Sequence, residues 1–575
     1  MNAKNMLPFK LCIFILFAIS SMMLFVSCTP TWMTAEVPAN TAASILTVTP
    51  MATETPSLTM PPTATETPAM TSTPAPTATI TPTVVELGKT PCAGLQDLEL
   101  LDTTITSSEI VWQGWKAPLG GYQTADQQVV VDSTFCRVTG TIAPSINFEV
   151  WMPLATREHP WNGKFIGVGN SGLAGTISYS QMRFNLIFGY ATASTDTGHQ
   201  SDPTEGQWML EGPALWVDFS YRAIHLMTRN AKAIIQAYYG NAPRYSYFNG
   251  CSGGGQQGLM EAQRYPADYD GIVAGAPANL RTHSWPGEVW VSYVTHRSPE
   301  NAIPEEKLPT IQAAAIRACD ADDGLVDGVI SDPINCRFDP STLLCRGTDN
   351  MDCLTDGEVD SLNLIYAGLY DPVTGGQFWP GLEPGSELGW TGWGGLLPEP
   401  FPAPLAYFQY MLFADEPDWD WTSFDFTDPL DFETIIKADA LYGPIFNANS
   451  PDLSAFQELG GKLIIYHGWF DQQIAPRNSI NYYNNVAAYM GGEANTQDFL
   501  RLYMIPGMMH CGGTQGGPSI FNTFQAIELW VEKGIPPANM VSPEKTRSLC
   551  AYPQVAMYSG TGNVDDAKSF ICANP

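Results

Sequence analysis

Apolar residues along the chain repeat with two spacings. Strict alternation and short unbroken apolar runs mark strands. Residues 110–141 and 145–152 contain such segments, QVVVD and INFEVWMP among them. They predict antiparallel strands at the start of a sheet. Shorter runs follow at 164–168 (KFIGV), 189–192, 245–248, 271–274, 462–466 (KLIIY) and 499–505 (FLRLYMI). Unbroken apolar runs of this length suit strands covered on both faces. The other spacing is helical, with apolar residues three and four apart over 219–239, 256–264 and 521–533. Strand, helix and strand joined by short loops predict an α/β fold.

The pattern breaks twice. Residues 279–449 are rich in Trp, Pro, Gly and Asp and show few clear strands, so they read as a large insertion. At the other break, residues 29–87 are mostly Thr, Pro, Ala and Ser. Such a segment cannot bury enough apolar surface to order itself and reads as a tether. Ahead of it, Lys4 and Lys10 precede an apolar stretch ending at Cys28, a targeting segment. Phe25-Val26-Ser27-Cys28 resembles a bacterial lipobox, with Cys28 as the lipidated residue. Phe25 stands where Leu is usual, which leaves plain cleavage or an uncleaved anchor open. The expected organisation is a lipoprotein-type signal at 1–28 and a linker at 29–88. A catalytic α/β part follows at 89–280 and 456–575, interrupted by an inserted lid at 281–455.

The formal net charge of −31 over 575 residues repels phosphate backbones and argues against a nucleic-acid partner. Twelve cysteines less Cys12 and Cys28 leave ten, an even number in a chain expected to be exported, which points to disulfides.

The chemistry centres on Gly250-Cys251-Ser252-Gly253-Gly254, a G-x-S-x-G run between a predicted strand and a predicted helix. That is the context of a nucleophile elbow. A serine nucleophile needs a base and an acid to orient it. Asp471 and His510 each follow a later strand, giving the order Ser, Asp, His. Of the seven histidines, only His510 lies beyond the acid; His467, in the acid's own loop, is its main rival. Cys251 precedes the serine and Cys511 follows the histidine. If Ser252 and His510 approach each other, these neighbours come within disulfide reach.

GCSGGGQQGL, HGWFD and MIPGMMHC together resemble the CS-D-HC signature of the tannase and feruloyl esterase family. Supporting matches are STDTGH at 194–199, DFSYRAIH at 218–225 and DLSAFQELGGKLIIYHGW before Asp471. The resemblance covers about residues 92–572 and implies an α/β-hydrolase fold with a large inserted lid. It implies the Cys251–Cys511 bond, and the pairs Cys92–Cys136, Cys319–Cys336, Cys345–Cys353 and Cys550–Cys572. The oxyanion hole is expected at the N–H of Gly253, with a second N–H from Gly169 or Gly172.

The run CDADDGLVDGVISDPINC crowds Asp320, Asp322, Asp323 and Asp327 into a short loop, which a hard cation would neutralise. Its spacing is not that of an EF-hand. The resemblance implies a structural Ca²⁺ held by Asp320, Asp323 and Asp327 with the carbonyls of Leu325 and Val329.

The implied function is a serine carboxylic ester hydrolase acting on small esters of aromatic acids, hydroxycinnamic or gallic, from plant cell-wall polysaccharide or tannin. Of these the feruloyl-esterase-like reading leads, and tannase activity on galloyl esters or hydrolysis of a terephthalate mono-ester is the alternative. A non-catalytic surface-tethered binding protein is the alternative of another class, and the intact Ser, Asp and His argue against it. The localisation implied is exported, as a cell-surface lipoprotein or a secreted protein, touching a membrane only through the N-terminal lipid. Trp379, Trp390, Trp393, Trp419, Trp421, Phe378 and Phe401 in the insertion, and Trp469 beside the acid, are candidates for an aromatic pocket wall.

Overall fold

The computed structural model describes residues 90–574 apart from 120–124, 155–159, 392–394, 397–398 and 544–546. The expected signal with Cys28, the linker and Trp393 lie outside the described residues.

Nine strands form the central sheet: β1 (Thr103–Val111), β2 (Phe135–Ile142), β3 (Ile146–Pro153), β4 (Lys164–Val168), β5 (Ala191–Thr195), β6 (Tyr245–Cys251), β7 (Gly271–Gly275), β8 (Lys462–Gly468) and β9 (Leu500–Ile505). Their spatial order is β1-β2-β3-β5-β4-β6-β7-β8-β9. The first pairings, through β3 to β5, are antiparallel. All pairings from β5 onward are parallel. The exchange of β4 and β5 and the parallel half beyond it are the α/β-hydrolase arrangement.

Side chains alternate between the two faces of the sheet, as the pleat requires. Phe248, Ile272, Leu463 and Ile465 enter one core with helices α2 (Ala223–Tyr239), α3 (Gly253–Arg264) and α8 (Arg477–Tyr489). Tyr247, Val273 and Ile464 enter the opposite core with α1 (Tyr179–Ile187) and α9 (Thr523–Lys533). Both faces being covered explains why the parallel strands are nearly unbroken in apolar residues.

Between β7 and β8 the insertion is helical rather than irregular. It contributes α4 (Arg281–His296), α5 (Leu308–Cys319), α6 (Asp356–Ala367) and α7 (Pro429–Phe446), packed round a third core. Leu173, Trp208, Phe219 and Ile474, from loops and turns of the sheet part, belong to that same core. The insertion is therefore continuous with the scaffold beneath it.

Candidate active site

Ser252 sits where β6 turns into α3, with φ 61° and ψ −120°. A positive φ is strained for a residue with a Cβ. Here it is held by backbone bonds: Ser252 N–H donates to Gly275 O (2.9 Å), and Ser252 O accepts from Ala278 N–H (3.1 Å). The turn demands glycine at Gly250, where a Cβ would lie 2.4 Å from Gly254 O. The serine is thus projected from the strand end, and its hydroxyl makes no hydrogen bond among the described residues.

His510 follows β9, and its Nδ1 donates to Asp471 Oδ2 at 2.7 Å. With the proton on Nδ1, the Nε2 lone pair is free to accept one. Asp471 follows β8 and is fully buried. Its Oδ1 accepts from the N–H groups of Gln473 (2.8 Å) and Ile474 (2.9 Å). Burial alone would raise this carboxyl. The charge of His510 and the hydrogen bonds from His467 and His510 outweigh burial and hold it well below the ordinary carboxylate range.

His467 is not a second base. It is fully buried and does not line the cavity that holds Ser252. Its Nε2 faces two acceptors, Asp471 Oδ2 (3.0 Å) and Ile474 O (2.9 Å), so that nitrogen carries hydrogen; Nδ1 lies 2.8 Å from Ser479 Oγ. His467 is a donor to the acid and fixes its orientation. Gln472 Oε1 accepts from the His510 N–H at 3.3 Å and ties the acid and base loops together.

All five expected disulfides are formed. Cys251–Cys511 joins the serine turn to the histidine loop across 260 residues, with its Cα atoms 5.8 Å apart. Ser252 and His510 open into one cavity of about 390 Å³.

The two candidate oxyanion donors beyond Gly253 separate cleanly. Gly169 N–H is already donated to Asn249 O at 3.1 Å, so Gly169 cannot supply the hole. Gly172 makes no such backbone donation among the described residues and lines the cavity beside Ser252. Its φ is +54°, and a Cβ there would meet Pro203 O at 2.4 Å, so glycine is required. Gly253 begins α3, where the first N–H groups have no helical partner. His199 Nε2 and Ser201 Oγ both donate to Leu173 O at 3.0 Å, which steadies this loop.

The cavity wall differs from the expected aromatic one. Phe401 lines it, but Trp379 and Trp390 are buried in the insertion's core, and Trp419 stacks on Phe413. Phe378 stacks on His283, and Trp421 lies edge-on to His296. Trp469 faces a separate cavity with Met504 and Pro506. The sequence reading missed Arg281, Ser284, Trp285 and Glu288, which face the cavity from α4. Their i, i+3, i+4, i+7 spacing is the signal that could have found them. Pro286 and Gly287 in the middle of the run hide it. Burial pushes the Glu288 carboxyl well above its ordinary range, the charge of Asp471 adding to the shift and Arg281 opposing it.

The acidic loop lies on the insertion. Asp320 accepts from the N–H groups of Asp327 (3.1 Å), Gly328 (2.8 Å) and Val329 (3.3 Å). Asp323 accepts from Leu325 N–H (2.9 Å) and Ser331 Oγ (2.6 Å). Asp327 pairs with Arg547 through one oxygen, while its other, Oδ1, is buried without a partner. The carbonyls of Leu325 and Val329 accept no backbone bond among the described residues. Three carboxylates and two carbonyls without backbone partners are the donor chemistry of a hard-cation site, but Asp320 and Asp323 already accept N–H and O–H bonds and the three carboxylates do not converge within 4.8 Å of one another among the described residues. The fourth acid, Asp322, is exposed.

The sequence model of "Tannase and feruloyl esterase" matches residues 128–573. An uncharacterised esterase of Xanthomonas campestris pv. campestris is 37% identical over 535 residues, covering 84% of this chain and 91% of its own. A probable feruloyl esterase B-2 of Aspergillus fumigatus is 33% identical over 479 residues, covering 77% and 87%. The crystal structure of feruloyl esterase B from Aspergillus oryzae superposes with a TM-score of 0.75 at 28% identity, over 84% of this chain and 99% of that one. Sequence, fold and site agree: the chain belongs to the tannase and feruloyl esterase family and is a carboxylic ester hydrolase.

Proposed function

We propose that the chain hydrolyses esters of aromatic acids, hydroxycinnamoyl esters first, through a Ser252–His510–Asp471 triad. The observation that carries this is the cavity itself. The serine and histidine meet in a space walled by Trp285, Phe401, Ala278 and Ile474, with Arg281, Ser284, Glu288 and Gln473 as polar groups among them. A flat ring suits the apolar walls, and ring substituents suit the polar groups.

In the reaction, Ser252 Oγ attacks the ester carbonyl as His510 Nε2 takes its proton. The oxygen that becomes negative is met by the N–H groups of Gly253 and Gly172. His510 returns the proton to the departing alcohol, leaving an acyl group on Ser252. Water, deprotonated by His510, then releases the acid. Asp471 remains a carboxylate throughout and holds the ring of His510.

The test is a substrate panel on the intact enzyme: methyl ferulate, methyl gallate, a terephthalate mono-ester, and acetyl and butyryl esters, compared by kcat/KM. Aromatic esters should exceed aliphatic ones by at least about tenfold. Equal turnover of acetyl and feruloyl esters would reduce the reading to a general carboxylesterase. The polar groups on α4 also suit a galloyl ring, so a preference for gallate within the panel would place the chain on the tannase side.

Two further parts of the reading lie outside the triad. Ca²⁺ is taken to be held by Asp320, Asp323 and Asp327 with the carbonyls of Leu325 and Val329; the orphaned Oδ1 of Asp327 supports this. Export and display through Cys28 rest on the N-terminal sequence. Labelled fatty acid should enter the wild-type protein and not Cys28→Ala.

A further inference from the structure

Arg281 begins α4 and is only 3% exposed. Burial lowers its guanidinium to about 10, with Glu288 acting in the opposite direction, so it remains a cation at neutral pH. Phe219 and Trp285 present their rings 5.2 and 5.4 Å from its central carbon. Nη2 donates to Gly172 O at 3.2 Å. Nε is buried with no partner, and no ion pair joins the guanidinium to Glu288 among the described residues. A buried cation with unspent donors is costly unless something negative meets it.

Its position shows what that is. The peptide between Gly172 and Leu173 is clamped at both ends. Its carbonyl accepts from Arg281, and its N–H donates to Pro203 O at 2.8 Å. Glycine has the greatest freedom of any residue to lose such an orientation. On the other side, Nη2 would lie 2.7 Å from a Cβ on Gly253, so the guanidinium also rests against the first residue of α3. It therefore touches both residues assigned above to the oxyanion hole, and it holds the Gly172 N–H only by fixing the peptide that follows it.

We propose that Arg281 is the positioning residue of the oxyanion hole, fastening the Gly172 loop beside Gly253 and setting a fixed positive charge near the oxygen that becomes negative. This rests on the serine-esterase reading above. Its contribution is specific to the transition state, because the ground-state carbonyl carries little charge there.

The experiment compares wild type, Arg281→Met and Arg281→Lys on an acetyl and a feruloyl ester. A phenylboronic acid, which forms a tetrahedral anion on the serine, and the free product acid serve as inhibitors. Removing one oxyanion donor typically costs about 10²–10³ in kcat; loss of the clamp should cost about ten- to a hundredfold in Arg281→Met. KM should stay within about twofold on both esters, Arg281→Lys should lose less, and boronate inhibition should weaken in step with kcat while product-acid inhibition does not. A purely structural role would lower the melting temperature without this split. Wild-type kcat in either folded variant would overturn the proposal. So would intact kcat with a KM raised only for esters of ring-carboxylated acids, since Arg281 would then read a substituent instead. If Arg281→Met fails to fold, the kcat and boronate response of Arg281→Lys decide. Absence of esterase activity in the wild type would remove the underlying functional reading, an outcome distinct from normal activity in the variants.

Discussion

The catalytic loops and the insertion are held by different means. On the sheet side, Ser252, Asp471 and His510 follow three strands of the parallel half, β6, β8 and β9, with β7 lying between β6 and β8. A single disulfide spans 260 residues to join two of their loops. On the insertion side, the staples are local: Cys319–Cys336 spans 17 residues and Cys345–Cys353 spans 8. The long bond positions distant parts of the chain relative to one another. The short ones, with the acidic loop, stiffen a segment that contributes walls but no triad member. On the function proposed above, chemistry resides in the scaffold and selection in what is laid over it. Each prediction below disturbs one side and asks whether the other follows.

The largest effect belongs to the scaffold. Ser252→Ala should fold with an unchanged melting temperature and lose at least about three orders of magnitude in kcat, leaving what binding and the oxyanion hole supply. His510→Ala should lose a similar amount, and the double variant no more, because the two act as a unit. Steady-state rates on one chromogenic ester suffice. Turnover of Ser252→Ala within tenfold of wild type would dissolve the comparison, since the chemistry would then lie elsewhere.

Next comes the long staple. Replacing both Cys251 and Cys511 by Ala frees the two loops while the sheet and the other four disulfides remain. A displacement of about 1 Å in a catalytic group can cost about a hundredfold, and a loss of that order in kcat/KM is expected. Stability should fall by about 2–5 kcal/mol, read by denaturant unfolding, with a cooperative transition retained. If stability collapses while the surviving folded fraction works normally, the bond serves the fold and not the loops.

The same division governed what could be read from the chain. The buried parallel strands were legible because their apolar runs are short and bounded, and the places of Ser252, Asp471 and His510 at strand ends were legible because each follows such a run. Strand limits moved by a few residues: β5 runs over Ala191–Thr195, where the sequence had pointed to a short strand at residues 189–192. The insertion was opaque for a physical reason. Its first helix, α4, carries Pro286 and Gly287 in its middle, residues that usually end helices. Tertiary packing overrides them; Gly287 leaves room for Trp379, whose Cδ1 would lie 2.0 Å from a Cβ there. Hidden with that helix were Arg281, Trp285 and Glu288. The choice between Gly169 and Gly172 depends on which N–H a neighbouring strand consumes, and periodicity does not record that. His467 looked like a rival base because sequence gives adjacency without direction.

A smaller effect should come from the insertion's contribution to the wall. Phe401→Ala removes a ring that faces the cavity from the insertion. An aromatic contact contributes about 0.5–1.5 kcal/mol beyond its buried area, so kcat/KM for methyl ferulate should fall by about tenfold. The acetyl ester should change by less than about twofold. Equal losses on both esters would mean that the insertion shapes the catalytic loops and not the acyl pocket, and the division drawn here would fail.

The smallest effect concerns the acidic loop. Bound only by the folded state, a cation at a hundred times its Kd stabilises by about 2.7 kcal/mol. Without it, Asp320, Asp323 and Asp327 repel one another, and of the described cations Arg547 pairs with Asp327. Adding a chelator should therefore lower the melting temperature by a few degrees, and excess Ca²⁺ should restore it. The effect should be larger at pH 7 than at pH 4. Burial raises the Asp323 carboxyl above its ordinary value, although its hydrogen bond from Ser331 opposes the shift. As pH falls towards that raised value the carboxylate takes up a proton and cation affinity declines. Activity at 25 °C should stay within about twofold, because the acidic loop lies outside the set of residues lining the catalytic cavity. Loss of catalysis in the chelator before any loss of folding would tie the insertion's local staple to the scaffold's chemistry and merge the two regions into one. An unchanged melting temperature, with no metal found by elemental analysis, would leave the short disulfides as the insertion's staples and remove calcium from the reading.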